Sequence, residues 1–135
     1  MKLRPLLILS ILLSTFTAFE QLTKAEKDIL KNVEKNYVES VNFLEKTVNI
    51  NSGTYNITGV RKVGVLYKQF LDELGFATRW IEMPSDMKRA GHLIGEIKGK
   101  KGKRLLLIGH MDTVFEPESP FQTWTRSDST ASGPG

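Results

Sequence analysis

The residues best suited to chemistry in this 135-residue chain lie in "GHMDTVF", Gly109 to Phe115, where a histidine and, two positions later, an aspartate close an apolar run. The chain has two histidines, His92 and His110, and no cysteine. Without thiolates, a metal ion here would be held by imidazole, carboxylate and water. A metal-bound imidazole generally donates its second ring N–H to a carboxylate or carbonyl, which fixes the tautomer and makes the ligating nitrogen more basic. In an extended chain, side chains two apart lie on the same side, so Asp112 can reach His110. His110 is therefore a candidate metal ligand and Asp112 its orienting partner. The same spacing also serves an ordinary hydrogen-bonded histidine at the end of a strand, which is its commoner use.

For the pair to act, the preceding residues must present it. "LLLIG", residues 105–109, is continuously apolar and predicts a strand covered on both faces, as at the centre of an α/β sheet. Open α/β sheets place their sites at the carboxyl ends of such strands, where His110 falls. "FATRWIEMP" (76–84), ended by Pro84, and "GHLIGEIKG" (91–99) predict two earlier strands, with "KGKKGKR" (98–104) as the turn into the third. Upstream, Leu30, Val33, Tyr37, Val41, Leu44 and Val48 recur at helical spacing and predict a stripe facing the core. Thr23 and Glu26 have the spacing of a capping box at its start. Residues 49–59 break the pattern, and Asn56 and Thr58 there suit a turn or helix cap better than a glycosylation sequon. A second helix follows with Val63, Tyr67, Phe70 and Leu74 on one face and Gly75 as its stop. The expected fold is one α/β domain, a mixed sheet flanked by helices.

Composition agrees, since 40% hydrophobic content over this length suits one compact core. The formal charge of +4 includes Lys2 and Arg4, and the remaining cations are scattered apart from 98–104, so nucleic acid is not an expected partner. The lysine-rich turn reads as a solvated loop. "MKLRPLLILSILLSTFTAFE" places those two cations ahead of an apolar stretch from Leu6 to Leu13, then small polar residues. This has the form of a secretory signal over residues 1–19, and its apolar stretch is short for a membrane span. The folded part is then 20–135, in a secreted or periplasmic protein without a stable span after signal removal.

Several ordered segments, "NSGTYNITGV", "ELGF", "GHLIGEIKG", "GHMDTVF", "PESPFQ" and "GPG", together resemble the zinc-dependent exopeptidase family of carboxypeptidase G, aminoacylase and acetylornithine deacetylase. The look is nearest to glutamate carboxypeptidase. The resemblance implies a zinc exopeptidase-like catalytic domain and a metallopeptidase hydrolysing a peptide or N-acyl amino acid at a two-zinc site. It also implies His110 as ligand to one zinc and Asp112 as its orienting partner, and it is compatible with a homodimer in the complete enzyme. A dipeptidase or an N-acyl amino acid deacylase is the alternative within the family. Ser52, Gly53 and Thr54 match a family loop motif and are expected to form a structural turn. The family's bridging aspartate follows "GPG" closely, and its general-base glutamate, other ligands and distal histidine come later. The expectation is therefore a truncated catalytic domain, inactive alone and inclined to associate through uncovered apolar surface. "RSDSTASGPG" departs from the family, which carries a glycine and an aromatic before "GPG". The competing expectation is a small secreted binding module that kept the fold and lost catalysis. Elsewhere, His92 is expected at a strand edge, Phe121 and Trp124 in packing, and Glu116 and Glu118 as solvated loop charges.

Export gives the first prediction. In its native host the mature protein should begin between about residues 17 and 24, the usual length range of such signals. Amino-terminal sequencing checks this, and cytoplasmic protein still starting at Met1 would contradict it.

Overall fold

The structure, a computed structural model, describes residues 21–134, so the expected signal segment lies outside the described residues. The chain divides into two compact units at Tyr37 and Val38. Helix α1 spans Lys24–Val48 across that division. Its start is the expected capping box: the Glu26 amide donates to Thr23 Oγ1 at 3.3 Å. In return, Glu26 Oε2 accepts the Thr23 amide at 2.7 Å and its hydroxyl at 2.8 Å. These bonds, the hydroxyl's first, hold the Glu26 carboxyl below its ordinary 4.5. The cap therefore contributes fully above that value and fades as pH falls through the lowered one.

The α1 stripe is not covered as the spacing predicts. Leu30, Val33, Tyr37 and Leu44 are exposed and Val48 alone is buried. An amphipathic face is covered only where another element presents apolar surface, and here that happens in the last turns of the helix. Phe43, off the predicted stripe, makes the contact, with ring centroids 5.1 Å from Tyr67 and 5.0 Å from Phe70.

Both of those aromatics belong to α2, Ile57–Glu73. Asn56 caps it as expected, its Oδ1 accepting the Gly59 amide at 3.1 Å. Its Nδ2 donates to Asn51 Oδ1 at 2.8 Å, so both ends of the amide are engaged. Gly75, at φ 83°, stops the helix in the left-handed region that glycine enters readily. Val60 and Val63 are buried on the inner face.

Helix α2 packs on a hairpin of β1, Ala77–Ile81, and β2, His92–Glu96, antiparallel with Trp80 opposite Leu93. Trp80 is the hub of this packing. Its Nε1 donates to Ala90 O at 2.9 Å, and the Arg61 guanidinium sits 5.0 Å above its ring. The helix comes this close at Gly64, where an added Cβ would meet the indole edge at 2.6 Å. Asp72 ties α2 to β1 through Thr78 and also accepts from Lys68 at 2.6 Å. These two donors, Lys68 foremost, lower its pKa from the ordinary 3.8.

The architecture is α/β in general: helices with small antiparallel strands. The expected mixed sheet centred on 105–109 does not form, because this run is not a strand among the described residues. Leu105, Leu106, Leu107 and Ile108 are 79–87% exposed. A strand covered on both faces needs neighbours to take its backbone bonds and its side chains, whereas among the described residues β2 pairs with β1 alone. A second antiparallel hairpin, β3 (Thr125–Ser127) with β4 (Thr130–Ser132), appears where no strand was expected. Its two-residue turn puts Asp128 at φ 50°, a conformation that aspartate tolerates better than most residues.

Gly64→Ala should lower stability. Better helix propensity would favour alanine by about 1 kcal/mol, while overpacking against an anchored ring costs about 1–3 kcal/mol. The indole is held by Ala90 and Arg61, so the steric term should prevail and the urea midpoint should fall. An unchanged or raised midpoint would show that the ring yields.

Candidate functional site

The site is assembled from two loops far apart in sequence. Residues 51–54 leave α1 for α2, and residues 111–116 follow the exposed aliphatic run. Gly53 and Thr113 form an isolated parallel bridge. The Thr113 amide donates to Ser52 O at 2.8 Å, and the Thr54 amide donates to Thr113 O at 3.0 Å. Around this bridge, Asn51 Nδ2 donates to Phe115 O at 2.9 Å and to Gln122 Oε1 at 2.7 Å. Gly53 also passes so close to Glu116 that no β-carbon fits there.

The bridge brings Thr54 to Asp112, whose Oδ2 accepts the Thr54 hydroxyl at 2.7 Å. The other oxygen, Oδ1, lies 3.5 Å from His110 Nδ1. That ring nitrogen is also 2.7 Å from Asp112 O. A carbonyl only accepts, so Nδ1 carries the proton and donates, and Nε2 is left unengaged by this bond. The imidazole is 78% exposed and the Asp112 side chain 37%. His110 and Asp112 are thus brought together, by a loop and not by the end of a central strand.

Other candidates fall as follows. His92 is exposed at the first position of β2, the edge placement expected of it. Glu118 is exposed, but Glu116 is half-buried and its Oε1 accepts the Tyr55 amide at 3.0 Å, so it fastens the two loops instead of floating as a solvated charge. Phe121 packs edge-on to Phe115 with centroids 5.0 Å apart. The half-buried Trp124 takes the Asn49 side-chain oxygen on its backbone amide at 2.9 Å. A cavity of about 380 Å³, bordered by Tyr67, His110, Asp112 and Trp124, adjoins the pair. Among the described residues, no three of histidine, aspartate and glutamate converge on a point where a metal would sit.

The loop motif Ser52-Gly53-Thr54 forms the expected turn, and Thr54 does more than turn the chain. Its bond to Asp112 spans 58 positions. No local periodicity reports a contact of that separation, and the only sequence signal was the order of the matching segments.

No family model matches the chain, and no solved structure does. Over 114 residues the chain is 33% identical to carboxypeptidase G2 of Pseudomonas sp. (strain RS-16), a match that takes in 80% of this chain and 26% of that protein. The chain spans about a quarter of the relative's length. The match indicates a peptidase-family relationship.

The geometry predicts a specific loosening. Thr54→Val keeps the shape but removes the donor to Asp112, a bond worth about 1 kcal/mol at a half-exposed carboxylate. Opening of the bridge should then be easier, and hydrogen exchange at the Thr113 amide about fivefold faster. Unchanged exchange would mean that the hydroxyl does not hold the loop.

Proposed function

We propose that this chain carries the first metal-binding arm of an exported zinc-dependent peptidase of the glutamate carboxypeptidase type, within a zinc exopeptidase-like catalytic domain. The observation that carries this reading is the His110 ring, proton on Nδ1 and turned to Asp112, with Asp112 itself fastened by Thr54. The similarity to a carboxypeptidase over 80% of the chain supports it. Dipeptidase and N-acyl amino acid deacylase activities are compatible with the same arrangement.

The donor set fits one arm of a zinc site. His110 would hold the ion through Nε2, and the remaining ligands and the general base would come from residues outside this set. Two zinc ions, when bound, would polarise the scissile carbonyl and make bound water a nucleophile at neutral pH. The Asp112 carbonyl keeps the imidazole in the ligating tautomer, and the Asp112 carboxylate, 3.5 Å from Nδ1, raises its basicity. Thr54 keeps that carboxylate from turning away. The substrate would be a peptide or N-acyl amino acid with a free carboxyl group. A self-contained binding module is disfavoured by the four exposed aliphatic residues at 105–108, which a finished surface would cover.

In the full-length enzyme, His110→Ala should remove one ligand and reduce zinc content and hydrolysis of an N-acyl glutamate to background. Asp112→Ala keeps both the ligand and the carbonyl that takes its Nδ1 proton and removes only the carboxylate 3.5 Å from that nitrogen, so the loss in metal affinity or activity should lie near the lower end of the usual range, about tenfold. Glu118→Ala, on the exposed loop, should change neither. Full zinc occupancy and activity in His110→Ala would exclude this histidine from the metal site.

A further inference from the structure

Behind Asp112, on the side bordered by the turn that leads into β2, lies a second cavity of about 260 Å³. Thr54, Met83, Arg89, His92 and Asp112 are among its lining residues. Resting on the peptidase reading, we propose that Arg89 in this cavity is the anchor for the free carboxylate of the substrate.

The local chain places Arg89 there. Pro84 leads into a short 3-10 turn, Ser85–Met87, and Lys88 follows at φ 49°, a left-handed conformation that reverses the backbone before β2. Arg89 then lies over Tyr55, its guanidinium carbon 4.4 Å from the ring centroid. This cation–π contact holds the guanidinium at little cost in hydrogen bonding. Nη1 donates to Met87 O at 3.3 Å and Lys88 O at 3.2 Å. Nε and Nη2 meet no acceptor, and Arg89 pairs with no carboxylate, among the described residues. By contrast, Arg61 pairs with Glu82 and Arg79 with Glu96. A flat, permanently charged fork with open donors matches a carboxylate, which it can hold by two parallel bonds.

The neighbouring Asp112 would repel an anion, and this sets the direction of binding. Its two oxygens face Thr54 and His110, so the carboxylate settles at the Arg89 end. The rest of the substrate then extends toward His110. Such a site selects a C-terminal carboxylate over a neutral amide, because the amide would leave the charged fork unanswered.

The test needs no turnover. Binding of N-acetyl-L-glutamate and of its uncharged diamide to the 135-residue chain is followed by ligand-observed saturation-transfer NMR with a chelator present. The acid should bind and the diamide should not. Arg89→Gln should weaken acid binding about ten- to hundredfold, as expected for losing a charge-assisted pair, and Arg89→Lys should restore part of it. Equal binding of acid and diamide, no acid binding, or undiminished binding by Arg89→Gln overturns the assignment. Zinc content and hydrolysis in the full-length enzyme are measured separately. Their loss in His110→Ala would uphold the peptidase reading even if Arg89 failed, and carboxylate binding without hydrolysis would do the reverse.

Discussion

Thr113 is the residue on which the site depends, since its amide and carbonyl are both taken by the Ser52–Thr54 turn. Two backbone bonds join the loop between the helices to the loop that carries His110 and Asp112. Thr54 can reach Asp112 only because its own amide is already held, and Glu116 can take the Tyr55 amide only because Gly53 lets the strands of the joint approach. Backbone bonds suit this task. They hold position without using the side chains that must act.

Helix α2 supports the joint from one side. Asn56 caps α2 and also binds Asn51, so the start of the helix and the turn before it are a single hydrogen-bonded unit. Met111 approaches α2 beside Gly64, near the Trp80 ring, and brings the other loop to the same packed centre. Thus α2 sits behind both halves of the site. The hairpin β1–β2 enters through Trp80 and, at its turn, presents Arg89 to the back of Asp112. Fold and site share one centre of packing.

Local signals in the sequence were legible and long-range ones were not. The capping box at Thr23, the Asn56 cap, the Gly75 stop and both strands of the first hairpin depend on neighbours within a few residues, and each is where spacing placed it. The H-x-D pair was legible for the same reason. Thr54 and Arg89 were not, since their relation to Asp112 arises only after separate segments meet. The run 105–109 failed differently. Continuous apolarity reports that residues prefer cover, and it is silent on whether a covering element is present. Leu30 and Val33 were misjudged on the same ground. The second hairpin leaves no such signal, because Thr125–Ser132 is polar apart from Ala131 and has no alternating apolar pattern.

This difference explains the unequal fixing of the two site residues. Asp112 lies beside the Thr113 joint and is partly covered, whereas His110 follows the exposed aliphatic run and its ring is more than twice as open. Burying four such aliphatic side chains is worth on the order of 6–12 kcal/mol, comparable with the whole stability of a small domain. An element laid over residues 105–108 would therefore do more than seal a surface. It would fix the backbone that enters His110 as firmly as Thr113 fixes the backbone that leaves Asp112. A metal ligand held from both sides loses little freedom on binding, while one held from a single side must be ordered by the metal itself. On the proposed reading, the affinity of His110 for an ion would be coupled to the covering of the four-residue apolar segment upstream of it.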